Sequence, residues 1–268
     1  MCDTCGCSIT PGNQSFAYKP VEKGTTAISI LQGLLKKNDD QAAHNRSHFD
    51  MRGILVVNLM SSPGSGKTAL LEATIVALKS ELNIAVIEGD LETENDAERI
   101  RAQGVPAYQI VTGTACHLDA QMVHEALHHM DLDGIDLLFI ENVGNLVCPA
   151  SFDLGQHLNV TLLSVTEGDD KPAKYPVMFR GTDAMVISKI DLLPYLDDFD
   201  PVRCERFLRN LANPAPVMRL TARKGMGMQA WLGWLRAELA RQRLRVAAGE
   251  SKRPMIQPDG ARFHASVL

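Results

Sequence analysis

The chain has 268 residues, of which 45% are hydrophobic and 5% aromatic, and its formal net charge is −5. This length and apolar content suffice for one substantial domain with an aliphatic core. The charge provides no overall attraction to nucleic acid or to an anionic membrane. The sequence has no apolar run of about 20 residues, and its first residues lack the basic and apolar regions of a signal peptide. We therefore expect a cytoplasmic protein that binds neither nucleic acid nor membrane.

Three of the six cysteines lie at the start of the chain, at Cys2, Cys5 and Cys7. Inside the cell, cysteines are more typical of thiol or metal chemistry than of a disulfide framework. A CxxC pair with a third thiol two positions later can surround one soft or borderline metal ion, and a cluster of free thiols is the alternative. We expect residues 1–50 to form this flexible metal-binding segment, a polar linker and a helix that leads into the domain.

His44 and His48 lie four residues apart, so they would share one face of a helix. Two histidines without a third ligand are more often solvated than bound to a metal. His124, His128 and His129 fall within a later helical pattern, and we expect them chiefly on its polar surface.

A phosphate-binding loop is the strongest motif. The stretch Ser61–Thr68, with the sequence SSPGSGKT, follows an apolar run and opens a helical pattern. In this context backbone N–H groups point at phosphate, Lys67 reaches the β- and γ-phosphates, and the Thr68 hydroxyl holds Mg²⁺. Ser61 stands where the usual motif has Gly, and a plain Gly/Ser-rich turn is the alternative. The expected nucleotide contacts here are Gly64, Ser65, Gly66, Lys67, Thr68 and Ala69.

Acidic residues close two of the later predicted strands. Asp90 ends the strand 84–90, and Glu141 ends the apolar run 137–141. The carboxyl ends of parallel strands face the ligand crevice, so we expect both near Mg²⁺, with Glu141 in a Walker-B role. Asp96, in a stretch typical of a switch loop, is a further candidate for the metal or its water. A helix cap or a solvated loop acid is the alternative for Asp90 and Asp96. The candidate catalytic residues are Lys67, Thr68, Asp90, Asp96 and Glu141.

A second group of possible metal ligands lies near the γ-phosphate end of the site. Gly144 follows Glu141, and its N–H is placed to meet a γ-phosphate; Cys148 comes four residues later. Cys116 and His117 precede a predicted helix on the same side, and with Cys148 they complete a Cys₂His set. Metal affinity would then depend on the nucleotide, and nucleotide affinity on the metal. The alternative is that both cysteines are ordinary small buried residues.

The stretch 188–191, with the sequence SKID, is a variant of a guanine-recognition pattern. Asp191 can accept hydrogen bonds from N1–H and the exocyclic amine of guanine, a donor pair that adenine lacks. The stem of Lys189 can lie over the purine plane. Ser188 replaces the usual Asn, so we expect a weaker contact to the base N7 and the nearby loop. A backbone N–H at Ala222 is expected to meet the guanine O6.

The sequence from 51 to 245 predicts an α/β domain, a mainly parallel sheet flanked by helices. Beside the proposed base pocket, Leu192 and Leu196 fit either the core or a subunit seam. Lys171 is a candidate for reaching the nucleotide of a neighbouring subunit. Residues 246–268 are expected to form a frayed tail.

Taken in order, these motifs resemble the HypB family of P-loop metal-chaperone GTPases, which incorporate nickel into hydrogenase. The resemblance covers residues 1–7 and about 50–245. It implies a GTPase that delivers nickel to the [NiFe]-hydrogenase large subunit, with a HypA-type accessory protein as partner and GTP-linked dimerisation near Leu192 and Leu196. It also implies a nickel site at Cys2, Cys5 and Cys7 and a second site, for nickel or zinc, at Cys116, His117 and Cys148.

Two rival interpretations belong to other classes of protein. A P-loop kinase would transfer phosphate to a small molecule, but it would not normally carry the guanine pattern. A nickel-binding or storage protein would have a vestigial nucleotide site. Some members of the family have a long histidine-rich segment before the domain, whereas only His44 and His48 occupy that region here.

Overall fold

The computed structural model describes residues 27–90 and 95–254. In these residues, the strands in chain order are β1 Leu55–Ser61, β2 Ile84–Asp90, β3 Ala107–Val111, β4 Leu137–Glu141, β5 Leu158–Ser164, β6 Ala184–Ser188 and β7 Val217–Arg219. They form one seven-stranded sheet in the spatial order β3-β2-β4-β1-β5-β6-β7. All neighbouring strands run parallel, which confirms the fold class predicted from the sequence.

Helices cover both faces of this sheet. Within the described residues the α-helices are α1 Ala27–Met51, α2 Lys67–Leu78, α3 Asn95–Arg101, α4 Ala120–Leu127, α5 Lys171–Lys174, α6 Pro176–Arg180, α7 Pro201–Asn210 and α8 Met228–Ala247. Short 3-10 helices lie at Cys148–Ser151, Ile190–Tyr195 and Ala222–Lys224. None of the helices in the described part combines the length and apolar content needed to cross a bilayer.

The central strand shows why the core has two sides. All residues of β1 are buried, as expected of a parallel strand that is covered on both faces. Leu55 packs into a cluster with residues of α2 and α8, whereas Val56 points to the opposite face and packs with residues of α1 and α4. In the first cluster, the fully buried Trp231 of α8 donates from its indole N–H to the hydroxyl of Thr74 of α2 at 2.8 Å.

The helix α1 is packed into the domain and extends past the boundary expected at residue 50. Its Phe49 is fully buried, and its Arg46 pairs with the buried Asp153 at 2.5 Å. At Gly155 (φ 96°) a β-carbon would lie 2.7 Å from the Cβ of Asn45. Only glycine permits so close an approach of the helix to this loop.

The residues that follow α8 also have defined contacts. Lys252 pairs with Asp183 at 2.9 Å, and Arg253 pairs with Asp153 at 3.0 Å. The frayed tail expected from the composition therefore does not describe residues 248–254, because these two ion pairs hold the segment against the domain.

Candidate nucleotide and metal site

A cavity of about 700 Å³ opens where β1, β2, β4, β6 and β7 end, and we call it the nucleotide pocket. Its volume lies within the range of ~300–1,000 Å³ that is usual for cofactor and ligand sites. The residues predicted for nucleotide or magnesium binding that line it are Gly64, Ser65, Gly66, Lys67, Thr68, Ala69, Asp90, Asp96, Glu141, Gly144, Ser188, Lys189, Asp191 and Ala222. The carboxyl edge of the parallel sheet thus brings these separate motifs together.

The phosphate loop passes into α2 at Gly66, whose left-handed backbone (φ 97°) lets the helix begin at Lys67. The ammonium group of Lys67 donates a 3.0 Å hydrogen bond to the hydroxyl of Ser61. That hydroxyl donates in turn to the carbonyl of Ser62 at 2.7 Å. Ser61, which replaces the glycine of the usual motif, therefore gives the buried lysine a partner. The cation and the backbone donors at the start of α2 make this end of the pocket an anion site.

Side chains at or after the ends of β5 and β6 form hydrogen bonds with the phosphate loop. The hydroxyl of Ser65 donates to Oε1 of Glu167 at 2.7 Å. The hydroxyl of Ser188 donates to the Ser65 carbonyl at 2.7 Å, and the Lys189 ammonium donates to the Gly64 carbonyl at 2.6 Å. The serine that replaces the asparagine of the guanine motif thus supports the loop directly.

Two carboxylates form the buried floor of the pocket. Glu88 of β2 and Glu141 of β4 are paired in the sheet register and are 2% and 4% exposed. Burial, and then the neighbouring Glu141, raises the pKa of Glu88 to about 10. Burial also raises the pKa of Glu141. The pair therefore holds a proton at neutral pH, because two adjacent buried carboxylates resist full ionisation.

The donor set around these carboxylates fits a magnesium ion. The Thr68 hydroxyl donates to Oε1 of Glu141 at 3.0 Å. The buried Oε2 atoms of Glu141 and Glu88 have no hydrogen-bond partner among the residues that the structure describes. Such oxygens are costly to bury unless a cation or water satisfies them, and oxygen ligands are those that Mg²⁺ prefers. Asp90 lies two residues beyond Glu88 on the same strand and lines the pocket.

Asp96 lies in the first turn of α3 rather than in an open loop. Its carboxylate accepts a 2.8 Å hydrogen bond from Arg99, and the same guanidinium makes hydrogen bonds of 2.7 and 3.1 Å to Glu72 of α2. Asp96 therefore lines the pocket from α3, and Arg99 links its carboxylate to Glu72 of α2. Residues 91–94, the rest of the predicted switch loop, lie outside the described residues.

Asp191 is held in place at the opposite end of the pocket. The hydroxyl of Thr221 donates to its Oδ1 at 2.8 Å, and the ammonium of Lys224 lies 3.0 Å from its Oδ2. The hydrogen bonds from Lys224 and Thr221 lower the pKa of Asp191, so the carboxylate is ionised at neutral pH. An ionised carboxylate only accepts hydrogen bonds, which suits the paired donors of guanine and not adenine.

Cys116, His117 and Cys148 form what we call the cysteine–histidine cluster. The two sulfur atoms are 2.9 Å apart, and the Cys116 sulfur lies 3.8 Å from Nδ1 of His117. The sulfur separation exceeds the roughly 2.05 Å of a disulfide, so both are free thiols. Among the described residues, this is the one group with three candidate ligand atoms all within 4.8 Å of one another.

The protonation state of His117 suits metal binding. The imidazole stacks on the ring of Phe152, with ring centres 4.0 Å apart. Burial lowers the pKa of His117, so the ring is neutral at pH 7. A neutral imidazole and two cysteine sulfurs make a donor set for a borderline divalent ion such as Ni²⁺ or Zn²⁺.

Two asparagines join the nucleotide pocket to the cysteine–histidine cluster. Asn142 follows β4, lines the pocket, and accepts the backbone N–H of Leu118 at 3.3 Å. Asn145, three residues later, donates from its amide to the backbone carbonyl of Cys116 at 3.2 Å. The loop after β4 therefore contacts the backbone on both sides of His117.

Gly144 allows the loop after β4 to pack closely against the phosphate loop. A β-carbon at position 144 would lie 2.9 Å from the Cα of Pro63. The close approach alone requires glycine here, because the φ of Gly144 is not positive. A shift of the phosphate loop would therefore push on the loop that carries Cys148.

Of the remaining predicted residues, Lys171 and Leu196 are not part of the pocket lining. The Lys171 ammonium lies 5.3 Å from the ring centre of Tyr175. Leu192, which also lines the pocket, and Leu196 are partly buried against the core, whereas Tyr195 between them is 83% exposed. The predicted ligands outside the described residues are Cys2, Cys5 and Cys7.

Comparison with known proteins agrees with this arrangement. A family model described as the nucleotide-binding domain of CobW/HypB/UreG matches residues 55–219. The hydrogenase maturation factor HypB of Escherichia coli strain K12 is 53% identical over 229 residues, covering 82% of this chain and 79% of that protein. The chain belongs to the HypB family.

Other HypB proteins match over a similar extent. HypB of Azotobacter chroococcum mcd 1 is 52% identical over 234 residues, covering 87% of this chain and 76% of that protein. The crystal structure of HypB from Helicobacter pylori in complex with nickel superposes with a TM-score of 0.73 at 39% identity, covering 81% of this chain and 98% of that one. The resemblance to the HypB family predicted from the motifs is therefore confirmed.

Several contributors to the site of this HypB-family chain were not predicted from its sequence. The role of Glu88 could have been predicted, because this residue lies two positions before Asp90 and so on the same face of the strand. The roles of Glu167 and Asn145 could not have been predicted, since their contacts depend on where two loops meet. Arg99 was missed because a single arginine in a short helix resembles an ordinary surface residue.

Proposed function

We propose that this chain is a GTP-hydrolysing nickel chaperone that delivers Ni²⁺ to the large subunit of a [NiFe]-hydrogenase during maturation. Relatives at 52–53% identity are named hydrogenase maturation factors, and the H. pylori HypB structure contains nickel. Three features of the described residues support the proposal: Asp191 suits guanine, the loop before α2 suits phosphate, and the cysteine–histidine cluster suits a metal ion.

The reaction would be transfer of the γ-phosphoryl group of GTP to water. The bond from γ-phosphorus to the bridging oxygen breaks, the water oxygen bonds to phosphorus, and GDP and phosphate leave. Lys67 and the backbone donors before α2 would hold the phosphates, and Asp191 would select guanine. Thr68 and Glu141, with Glu88 beside them, would hold Mg²⁺, whose charge offsets that of the phosphates.

The observation that carries the proposal is the contact of Asn142 and Asn145 with the loop that holds Cys116 and His117. The same loop bears Gly144 against the phosphate loop and leads to Cys148. A γ-phosphate that moves this loop therefore changes the position of one ligand relative to the other two. Binding at the two sites is linked in both directions, so hydrolysis would weaken or strengthen the hold on nickel.

The proposal includes the remaining expectations from the sequence. Cys2, Cys5 and Cys7 would form a second nickel site, and a HypA-type accessory protein and the hydrogenase large subunit would be the protein partners. The exposed Tyr195, between Leu192 and Leu196, would contribute to a GTP-dependent homodimer, and Lys171 would face the nucleotide of the partner. We place this function in the cytoplasm.

The decisive experiment measures the Ni²⁺ affinity of the cysteine–histidine cluster with GDP and with a non-hydrolysable GTP analogue. We expect the two affinities to differ by about 5- to 150-fold, the usual range of coupling between sites. Asn145→Ala, which removes the contact to Cys116 but keeps every ligand, should bring the ratio towards one. Val147→Ala, a neighbouring exposed position, is the matched control and should leave the ratio unchanged.

Equal nickel affinities in the two nucleotide states of the unmodified chain would refute the coupling.

Release of phosphate from GTP without any added acceptor, in preference to ATP, would separate the proposal from a P-loop kinase. If Lys67→Ala left hydrogenase maturation intact, the nucleotide site would be vestigial, as in a nickel-storage protein.

A further inference from the structure

Four of the eight histidines of the chain meet on one surface formed by α1 and α4. Nε2 of His44 lies 3.0 Å from Nε2 of His48, and Nε2 of His124 lies 3.3 Å from Nε2 of His128. The two pairs adjoin, since the ring centres of His44 and His124 are 5.3 Å apart. We call these four residues the histidine patch.

The packing of α1 on α4 produces this patch. The buried amide of Asn45 donates to the carbonyls of Ala120 and Leu154 at 2.8 and 3.1 Å. Asn38 accepts the backbone N–H of Ala120 at 2.9 Å. These contacts fix the start of α4 beside α1, so one histidine pair on α1 and another on α4 and its C-cap residue face the same solvent region.

The same asparagine orients one of the imidazoles. Because the amide nitrogen of Asn45 donates to two carbonyls, its Oδ1 is left as the acceptor that faces Nδ1 of His124, at 3.1 Å. Nδ1 of His124 must therefore carry the proton, and in the neutral ring the lone pair lies on Nε2. An amide or carbonyl partner on the far nitrogen is the arrangement that proteins use to fix metal-binding histidines.

The distances within each pair match those of a chelate. Two nitrogen ligands that each lie about 2.1 Å from one ion, at an angle between about 90° and 110°, are about 3.0–3.4 Å apart. The observed separations are 3.0 and 3.3 Å. A hydrogen bond between two neutral imidazoles has a similar length, so the distance permits metal binding and a titration must demonstrate it.

Burial, together with the neighbouring histidines, favours the neutral ring at His48 and His124. Burial, followed by the neighbouring His44, lowers the pKa of His48, and Arg52 acts in the same direction. Burial, followed by the neighbouring His128, lowers the pKa of His124, although Glu125 opposes the shift. Protonated imidazoles cannot bind a metal, so these rings are in the competent state at neutral pH.

We propose that the histidine patch is a surface binding site for a borderline divalent transition-metal ion, with Ni²⁺ as the most relevant member of that class. Imidazole nitrogen suits nickel, zinc and copper, whereas Mg²⁺ and Ca²⁺ prefer the oxygen ligands that the patch does not offer. The site lies apart from the nucleotide pocket lining and from the cysteine–histidine cluster. The binding of a borderline ion rests on the imidazoles alone, and only the choice of Ni²⁺ within that class rests on the proposed function.

The test counts bound Ni²⁺ per full-length chain by equilibrium dialysis. The double variant His44→Ala/His128→Ala removes one ring from each pair and keeps the contact between His124 and Asn45. Both positions are exposed, so the unfolding temperature should stay close to that of the unmodified chain. His129→Ala, an exposed histidine next to the patch that stacks on Tyr108, is the matched control.

We expect the double variant to bind at least one Ni²⁺ fewer per chain, and the control to bind as many as the unmodified chain. The nickel–thiolate absorption, which reports on the cysteine sites, should be the same in all three proteins, and excess Mg²⁺ should not displace the additional ion. Equal nickel binding by the double variant would overturn the proposal. An equal loss in His129→Ala would also overturn it, because the binding would then be nonspecific.

Discussion

Most of the phosphate contacts proposed for the nucleotide pocket come from one continuous stretch, 61–68, whereas the cysteine–histidine cluster joins sulfur atoms from residues 32 apart in the chain. Strand ends and a helix start fix the parts of the pocket, and Lys67, Glu88 and Glu141 are buried in it. The cluster is half-buried and is positioned by the hydrogen bonds of one loop. The pocket is thus the preformed site, and the cluster is the site whose geometry can respond to it.

The largest expected effect is on the cluster. Cys148→Ser removes a thiolate ligand, so the Ni²⁺ affinity of the cluster should fall by more than about 100-fold, since even partners behind the ligands are worth about 10- to 100-fold. GTP affinity without nickel should stay unchanged if the pocket is preformed. Metal titration and nucleotide titration of the same protein check this, with the exposed Val147→Ala as control. A matching loss of GTP affinity would show that the pocket depends on the cluster.

The next effect is on the phosphate end of the pocket. Lys67→Ala should weaken GTP binding by about 10- to 150-fold, because the variant lacks a charged hydrogen bond worth about 1.5–3 kcal/mol. Nickel binding in the absence of nucleotide should be retained. Fluorescent-nucleotide titration measures the loss, and Lys79→Ala, an exposed lysine just after α2, is the control. Loss of nickel binding without nucleotide would contradict the separation of the two sites.

A smaller and more selective effect on nucleotide affinity is expected at the end of the pocket proposed to bind guanine. Asp191→Ala should lower GTP affinity by roughly 10- to 100-fold and leave the weak binding of ATP unchanged, because only guanine offers the paired donors. Competition titrations with both nucleotides give the ratio. Asp197→Ala, an exposed acid in the same region, should keep the preference for GTP. An equal loss for both nucleotides would mean that Asp191 supports the pocket without recognising the base.

The smallest expected effect is on stability and its pH dependence. The folded-state pKa of Glu88 is raised to about 10, so the folded protein holds more protons than the unfolded chain from about pH 4.5 upwards. Its stability should therefore fall as pH rises through this window, which lowers the unfolding temperature by a few degrees between pH 6 and pH 9. Glu88→Gln should flatten this part of the profile.

Thermal unfolding without nucleotide or divalent ions, from pH 5 to pH 9, would measure the difference. Glu205→Gln, at a partly exposed acid on α7, serves as the control and should keep the slope of the unmodified protein. Parallel profiles for Glu88→Gln and the unmodified protein would show that the carboxylate pair does not hold its proton.

The sequence predicted the parts of the site that are encoded locally. The phosphate loop needs only a strand, a glycine-rich turn and a helix start in succession, all visible between 54 and 82. Glu141 and Asp191 each follow a buried strand, so their position at the carboxyl edge followed from a parallel sheet. The cysteine–histidine cluster depends on two loops meeting, and its three residues were nevertheless predicted as possible ligands from their type.

Contacts that depend on strand order and helix packing were not predictable. Glu88 matters because the sheet places β2 beside β4 in a register that pairs it with Glu141, and one strand does not reveal its neighbour. His44 and His48 were treated as an isolated pair, since nothing local shows that α1 packs on α4 and brings a second histidine pair beside them. Ser61 was treated as a departure from a motif, although it is the hydrogen-bond partner of Lys67.

The close packing at Gly155 determines where the chain can be shortened. Removal of residues 1–26 would leave α1 seated on this loop, with Phe49 in the core and Arg46 on Asp153. Removal of residues 1–50 would instead open a hydrophobic groove beside β1 and leave the buried Asp153 with Arg253 as its remaining ion pair. Studies that separate the cysteine-rich start from the rest of the molecule should therefore cut the chain before α1.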